Sequence, residues 1–298
     1  MVTTAMGEST NTEPAFSASY GDGQSFKLYN GDCVAGMLSA LEPGSVDVVV
    51  TSPPYNLGTA YSGFDDTMSR ADYLNWMGEW GRTVCEILDD HGSLFLNIGG
   101  KPTDPWGPFE VLAELRQHFA LQNVIHWIKS VAIQKEDVGR YPGITSNVSV
   151  GHYKPINSPR YVNDCHEYIF HLTKHGDVEL DRLAVGVEYQ DKSNVSRWGG
   201  AKEDKRCRGN TWFVPYKTIQ SRDKQRPHPA TFPVKIPKMC LELHGLERTR
   251  LVVDPFLGIG NTAVACVELG VSVVGFDTVA DYCAQSDTAV REAIKTRE

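Results

Sequence analysis

Residues Leu251–Asp277 read LVVDPFLGIGNTAVACVELGVSVVGFD, and this stretch decides the fold class. An apolar run ends at Asp254 and gives way to a turn holding Gly258 and Gly260. A helical pattern follows from Asn261 to Leu269, and a second apolar run from Val271 to Phe276. Strand, tight turn, helix and strand in succession make a unit of a mostly parallel sheet covered on both faces. Gly258 and Gly260 let the backbone turn sharply and approach a bound group closely. Asn261 and Thr262 can cap the helix, whose N-terminus favours negative charge. Asp277 ends the second strand, where a carboxylate can accept two hydrogen bonds from ribose hydroxyls. The unit reads as a nucleoside-binding turn but does not name the nucleoside. GIGNTA also fits the dinucleotide fingerprint, with Ala263 as the third small residue, and a purely structural turn would look the same.

After Asp277 only 21 residues remain, enough for one helix, so the rest of the sheet lies upstream. Hydrophobic patterning predicts strands over 26–29, 46–51, 93–97, 123–129, 167–172, 250–253 and 271–276. It predicts helices over 34–41, 70–88, 108–118, 233–244, 261–269 and 279–294. The nearly all-valine run at 46–50 suits burial on both faces of the sheet. Tyr73, Trp76 and Trp80 lie at near-helical spacing and are assigned to the core. Residues 56–69, 130–165 and 175–230 are polar, punctuated by Gly and Pro and weakly periodic. Such long connections carry function or are disordered.

The second informative stretch is VDVVVTSPPYN, Val46–Asn56. A buried strand runs into Ser52, Pro53, Pro54 and Tyr55. The prolines fix φ, donate no backbone hydrogen bond and push the residues before them toward extended geometry. The turn is stiff and rich in acceptors, at the strand end where α/β sheets bind ligands. A base amino group is a poor nucleophile because its lone pair is delocalised into the ring. The Ser52 hydroxyl and the Pro53 carbonyl can accept its two N–H bonds and so aim the lone pair at a methyl donor; alignment of this kind supplies much of a rate acceleration. Tyr55 offers a ring on which a base removed from a duplex can stack.

Composition sets limits. At 41% hydrophobic and 22% charged, the chain has the make-up of a soluble globular protein, without an apolar run long enough to span a membrane. No basic-then-apolar secretory segment opens it. Seven scattered cysteines without a CxxC argue against a disulfide framework or zinc site and fit a reducing cytoplasm. Residues 1–24 are expected to form a disordered tail. The net charge of −8 opposes nucleic-acid binding in general, but residues 192–226 carry ten basic against three acidic side chains.

The sequence resembles the amino-methyltransferase family of DNA enzymes in its β arrangement, with the catalytic turn first and the cofactor turn last. Three blocks carry the resemblance: Asn30-Gly31-Asp32-Cys33 with VDVVVTSPPYN; His228-Pro229-Ala230-Thr231-Phe232-Pro233 with the helix after it; and DPFLGIGNT, Asp254–Thr262. The resemblance implies a seven-stranded sheet with one antiparallel strand, S-adenosylmethionine as cofactor, double-stranded DNA as substrate and flipping of the target base. It divides the chain into a catalytic half (25–129), a target-recognition and connecting segment (130–226) and a cofactor half (227–298). Asp32, beside Cys33, would bind the adenine end of the cofactor. Phe256, Gly258, Gly260 and Thr262, with Asp254 and Asn261 in the same block, would surround its methionine part, and Asp277 would hold the ribose. Many relatives carry Glu at that last position. SPPY in place of DPPY or NPPY points to cytosine N4, although the trailing Asn56 is also common in adenine enzymes. A homodimer and an accompanying restriction endonuclease are both compatible with such a family.

Phosphate contacts are expected from Arg197, Lys205, Arg206, Arg208 and Arg222, with Lys154, Arg160 and Lys174 as further candidates. Asn163, Asn194 and Gln220 join Arg197 and Arg208 as candidate base readers by residue type. Tyr61 and Phe64 either close over the flipped base or anchor their loop. Direct transfer to nitrogen needs no metal and no covalent intermediate, and His118, His126 and His166 read as structural or exposed. Three alternatives stay open: adenine N6 as target, a nicotinamide-dependent oxidoreductase that gives Ser52–Tyr55 no role, and an inactive nucleic-acid-binding module.

Overall fold

A computed structural model describes residues 13–58, 66–151, 157–193, 195, 204–215 and 231–297. In chain order its strands and helices are β1 (Phe16–Tyr20), β2 (Gln24–Asn30), α1 (Cys33–Ala40), β3 (Val46–Thr51), α2 (Arg70–Ile87), β4 (Leu88–Ile98), α3 (Gly107–Leu115) and β5 (Ala120–Ile128). There follow β6 (Ser130–Ile133), β7 (Val148–Gly151), β8 (His166–Thr173), β9 (Thr211–Phe213), α4 (Lys235–His244), β10 (Leu251–Asp254), α5 (Asn261–Leu269), β11 (Ser272–Asp277) and α6 (Ala280–Arg297).

Nine strands form one sheet in the order β1-β2-β11-β10-β3-β4-β8-β5-β9. From β2 to β4 every pairing is parallel, and β8 lies antiparallel between β4 and β5. The seven strands expected from patterning are therefore present, with one of them reversed, and the sheet is two strands wider. One addition, β1, pairs antiparallel with β2 and falls within the stretch expected to be a disordered tail. Its alternation is the reason: Phe16, Ala18 and Tyr20 turn toward the core, and the Tyr20 hydroxyl donates to the Val271 carbonyl. The other addition, β9, lies parallel to β5 and buries Trp212. β6 and β7 pair separately as a two-stranded ribbon.

Two apolar layers sandwich the sheet. In β3, Val48 and Val50 face the layer containing Ile236, Cys240 and Cys266, whereas Val46 and Val49 face Met77, Trp80 and Val84. A strand with both faces covered needs β-branched residues throughout, and each fully buried valine contributes on the order of 2 kcal/mol. Capping fixes where two helices begin. Asp32 Oδ1 accepts from the Ala35 N–H at the start of α1, and Ser69 Oγ accepts from the Asp72 N–H at the start of α2. No helix among the described residues is long and apolar enough to cross a membrane. The C-terminal ends of β2, β11, β10, β3 and β4 and the N-terminal end of β8 share one edge of the sheet, and the site lies there.

Candidate active site

A cleft opens along this edge. It is lined by Gly31, Asp32 and Cys33 after β2, by Ser52–Tyr55 after β3, by Pro255–Gly258 after β10, and by Asp277–Val279 after β11. Asn261, Trp76, Tyr282, Thr231 and Phe232 complete the wall. Stretches separated by more than two hundred residues in the chain meet here because their strands are neighbours in the sheet.

The expected cofactor residues divide into two groups. Asp32, Cys33, Phe256, Gly258, Asn261 and Asp277 line the cleft; Asp254, Gly260 and Thr262 do not. Asp254 is buried and braces the site from behind. Its carboxylate accepts from Thr51 Oγ1 and from Thr262 Oγ1, both at 2.6 Å, and from the Phe256 N–H. Burial pushes its pKa up to about 6. The helix-capping role expected of Asn261 and Thr262 does not hold. The N-cap of α5 is Gly260, without a side-chain cap. The Asn261 amide instead donates to the Phe232 carbonyl at 2.7 Å, and the Thr262 hydroxyl is taken by Asp254. Gly260 has φ +91°, and a Cβ there would lie 2.4 Å from Ser286 Oγ, so both conformation and space require glycine. Asp277 accepts the Gly258 N–H on Oδ2 and the Val279 N–H on Oδ1, and burial raises its pKa.

The Ser52–Tyr55 turn is held from several sides. Tyr73 Oη donates to the Pro54 carbonyl at 2.9 Å. The buried Asp66 accepts the Asn56 N–H on Oδ1 and the Leu57 N–H on Oδ2, and Asn56 adopts φ +56° between them. Beneath the turn is a polar cluster that sequence patterning did not reveal. Ser52 Oγ and Tyr55 Oη are 2.8 Å apart. Asn97 Nδ2 lies 2.7 Å from Tyr55 Oη and 2.7 Å from Glu167 Oε2, and Lys129 Nζ pairs with Glu167 Oε1 at 2.9 Å. Close packing accompanies these bonds: a Cβ on Gly99 would lie 2.9 Å from Glu167 Cγ and 3.3 Å from the Tyr55 ring. The only sequence signal for Asn97 and Glu167 was a polar residue at the cleft end of an expected strand.

The aromatic residues of α2 depart from their assignment in part. Trp80 is core, and Tyr73 is buried with its hydroxyl on the Pro54 carbonyl of the Ser52–Tyr55 turn. Trp76 lines the cleft, edge-on to Phe256 with ring centroids 5.6 Å apart. His126 and His166 pack against Tyr168.

None of the described basic residues expected at DNA lines the cleft. Arg206 pairs with Val187 through backbone atoms in both directions, and Arg208 Nε donates to the Val185 carbonyl. Lys205 lies close enough to Glu242 of α4 to oppose the burial that raises that carboxyl's pKa. Lys174 follows the far end of β8, on the edge opposite the cleft, and pairs with Asp90. Arg197 and Arg222 lie outside the described residues, as do Tyr61, Phe64, Lys154, Asn194, Gln220 and His228–Ala230.

The cleft thus joins two chemistries. One end offers the Asp32 and Asp277 carboxylates beside a glycine turn and apolar walls. The other offers a hydroxyl and a carbonyl on a rigid turn: the Pro53 carbonyl, unlike that of Pro54, has no hydrogen-bond partner among the described residues. Known proteins resemble this chain in sequence and in fold. Among curated relatives, the type II methyltransferase M.HpaI of Haemophilus parainfluenzae is 26% identical over 82% of this chain and 68% of its own length. M.SmaI of Serratia marcescens is 27% identical over 88% and 89%. Among solved structures, the PvuII DNA methyltransferase (cytosine-N4-specific) superposes with a TM-score of 0.64 at 17% identity, covering 97% of this chain and 96% of that one. The Thermus thermophilus protein TTHA0409, in its complex with S-adenosyl-L-methionine, superposes with a TM-score of 0.55 at 19% identity over 90% and 93%. The structural matches establish the fold, and the model of the N6/N4-type DNA methylases matches residues 46–288. Extending from the Ser-Pro-Pro-Tyr strand through the glycine turn and into α6, that match makes this chain a member of the DNA methylase family.

Proposed function

We propose that this DNA methyltransferase transfers the methyl group of S-adenosylmethionine to N4 of a cytosine flipped out of double-stranded DNA. The observation that carries the reading is the juxtaposition, in the cleft wall, of the Ser52 hydroxyl with a Pro53 carbonyl that has no hydrogen-bond partner among the described residues. Two acceptors on a stiff turn suit an amino group with two N–H bonds, and holding both draws its lone pair out of conjugation. Tyr55, tethered by its hydroxyl, gives the base a ring to stack on.

The cleft residues fit the cofactor. Asp277 and Asp32 are acceptors for hydroxyl and amine donors, and Phe256, Trp76 and Val279 supply apolar walls. A Cβ on the cleft residue Gly31 would meet no atom within 4 Å, so the backbone there leaves room for a ligand. When bound, the cofactor supplies a methyl group on positively charged sulfur. In this reading Asp277 holds the ribose, Asp32 and Cys33 lie at the adenine end, and Phe256, Gly258 and Asn261 flank the methionine part. Asp254, Gly260 and Thr262 shape the turn without touching it. Target recognition belongs to the 130–226 segment, with Arg197, Lys205, Arg206, Arg208 and Arg222 as phosphate contacts. The type II relatives support a restriction endonuclease as a companion.

The test is methyl transfer from labelled S-adenosylmethionine to unmethylated duplex DNA, followed by nucleoside digestion and mass spectrometry. N4-methylcytosine is the expected product. N6-methyladenine would overturn the base assignment while leaving cofactor and fold in place.

A further inference from the structure

The amino-group reading leaves a question of polarity. Ser52 must accept a hydrogen bond from the base, so its own proton has to point elsewhere. The cluster beneath it supplies the direction. Lys129 Nζ holds Glu167 Oε1 at 2.9 Å, which leaves Oε2 to face Tyr55 Oη at 3.1 Å and Asn97 Nδ2 at 2.7 Å. An ionised carboxylate only accepts and an amide nitrogen only donates. With Asn97 Nδ2 donating to Tyr55 Oη at 2.7 Å, the phenol proton goes to Glu167 and the phenol oxygen is an acceptor for Ser52 Oγ–H, 2.8 Å away. The longer contact from Tyr55 Oη to the Asn97 backbone carbonyl, 3.3 Å, competes poorly with a charged acceptor. The Asn97 amide keeps this orientation although its Oδ1 is buried without a hydrogen-bond partner among the described residues, an arrangement explained by the three acceptors around its Nδ2: Tyr55 Oη, Glu167 Oε2 and, at 3.3 Å, Ser52 Oγ.

We infer that Glu167 is a positioning residue and the terminal proton acceptor of a relay, Ser52 to Tyr55 to Glu167. This rests on the amino-transfer reading above. When the amino nitrogen forms its bond to the methyl carbon, the carbon–sulfur bond breaks and its electron pair stays on sulfur. The nitrogen is left with a positive charge and one proton too many. That proton passes to Ser52 Oγ as the serine proton passes to Tyr55 Oη and the tyrosine proton to Glu167 Oε2. A neutral methylamino group and a neutral carboxyl result, and the carboxyl gives up its proton to water before the next turnover. The same donor directions that keep Ser52 an acceptor before the reaction carry the proton away after it.

The experiment compares the full chain with Glu167→Gln, Glu167→Asp, Tyr55→Phe and the Glu167→Gln/Tyr55→Phe pair, reading kcat against pH, KM for DNA and cofactor affinity by calorimetry. Glu167→Gln should lower kcat about 100-fold with cofactor affinity within twofold of the parent. It should also abolish the acid limb of the kcat profile, because an amide cannot take up the relayed proton. Glu167→Asp should restore that limb at a reduced rate. The double variant should be no slower than Tyr55→Phe alone, because either change cuts the same relay. Additive losses, or an unchanged pH profile in Glu167→Gln, would overturn the inference. The parent's product keeps the two readings apart. If it is N6-methyladenine, the cytosine assignment fails and the relay is still judged by these variants, since that amino group also sheds a proton. If the parent methylates no base nitrogen, both fail.

Discussion

The carboxylate of Asp277 already accepts one backbone N–H on each oxygen, so a ligand can use only the second lone pair of each. Asp277→Asn keeps the size but offers one acceptor oxygen in place of two. The ribose reading then expects cofactor affinity to fall about tenfold, the loss of roughly one charge-assisted hydrogen bond. The rate at saturating cofactor should stay near that of the parent, because β10 lies between the strand that ends at Asp277 and the strand that leads into Ser52 and Pro53. Titration calorimetry showing unchanged affinity would remove the ribose assignment. At this scale the sequence was readable where the cleft wall is contiguous: Ser52, Pro53, Pro54 and Tyr55 are adjacent, and all four line the cleft. It was unreadable where side chains are assembled across the sheet. Glu167 reaches Tyr55 over a separation of 112 residues, and Asn97 reaches Ser52 over 45. Neither residue type marks itself, and only strand order brings them under the turn.

Helices and central strands were legible because each buries a long apolar stripe with a clear period. The edges of the sheet were not. FSASY at β1 is short, its only large apolar groups are Phe16 and Tyr20, and it directly follows a polar tail. What makes it a strand is the partner it finds in β2, together with the Tyr20 side chain, which is buried and hydrogen-bonded to Val271 beside β11. A contact of that kind is tertiary, and no local pattern announces it. Tyr20→Phe removes only the hydroxyl and leaves the Val271 carbonyl unpaired, which should cost about 1–2 kcal/mol. Tyr20→Ala also opens a cavity at the edge of the core and should cost about 3–5 kcal/mol. Urea unfolding at constant m-value would measure both. An unchanged midpoint for Tyr20→Ala would mean that β1 is not part of the cooperative unit. The glycine turn gives the complementary lesson. Its role as a turn was evident, but the helix that follows is started by Gly260 rather than capped by Asn261 or Thr262. Both of those side chains are drawn to stronger tertiary partners.

Over the whole molecule, a buried polar chain couples four elements and makes stability depend on pH. Asn123 Nδ2 lies 3.0 Å from His171 Nδ1, and Ser93 Oγ lies 2.9 Å from both His171 Nε2 and His244 Nδ1. The amide donates to His171, His171 donates to Ser93, and Ser93 donates to His244, so both rings are neutral and β5, β8, β4 and α4 are linked. Burial, then the neighbouring His244, holds His171 down to about 3; burial, then Arg248, holds His244 down to about 4. Both imidazoles bind protons less readily folded than unfolded. Their contribution is therefore complete above the unfolded value of about 6.5 and is lost as the pH falls toward their folded values. Asp254 acts in the opposite direction. Its carboxyl is raised to about 6, so acidification from there toward the ordinary aspartate range favours the folded state. At pH 5 the unfolded chain's preference for protons costs about 2 kcal/mol per histidine, against a gain of about 1 kcal/mol from Asp254. For these three groups together, acidification from pH 7 to 5 should thus lower the unfolding free energy by roughly 2–3 kcal/mol. His244→Gln, though less stable at pH 7, should lose markedly less over the same interval. Chemical unfolding at both pH values decides it: a flat profile for the parent, or an undiminished slope in His244→Gln, would mean that the buried histidines are not what ties stability to pH.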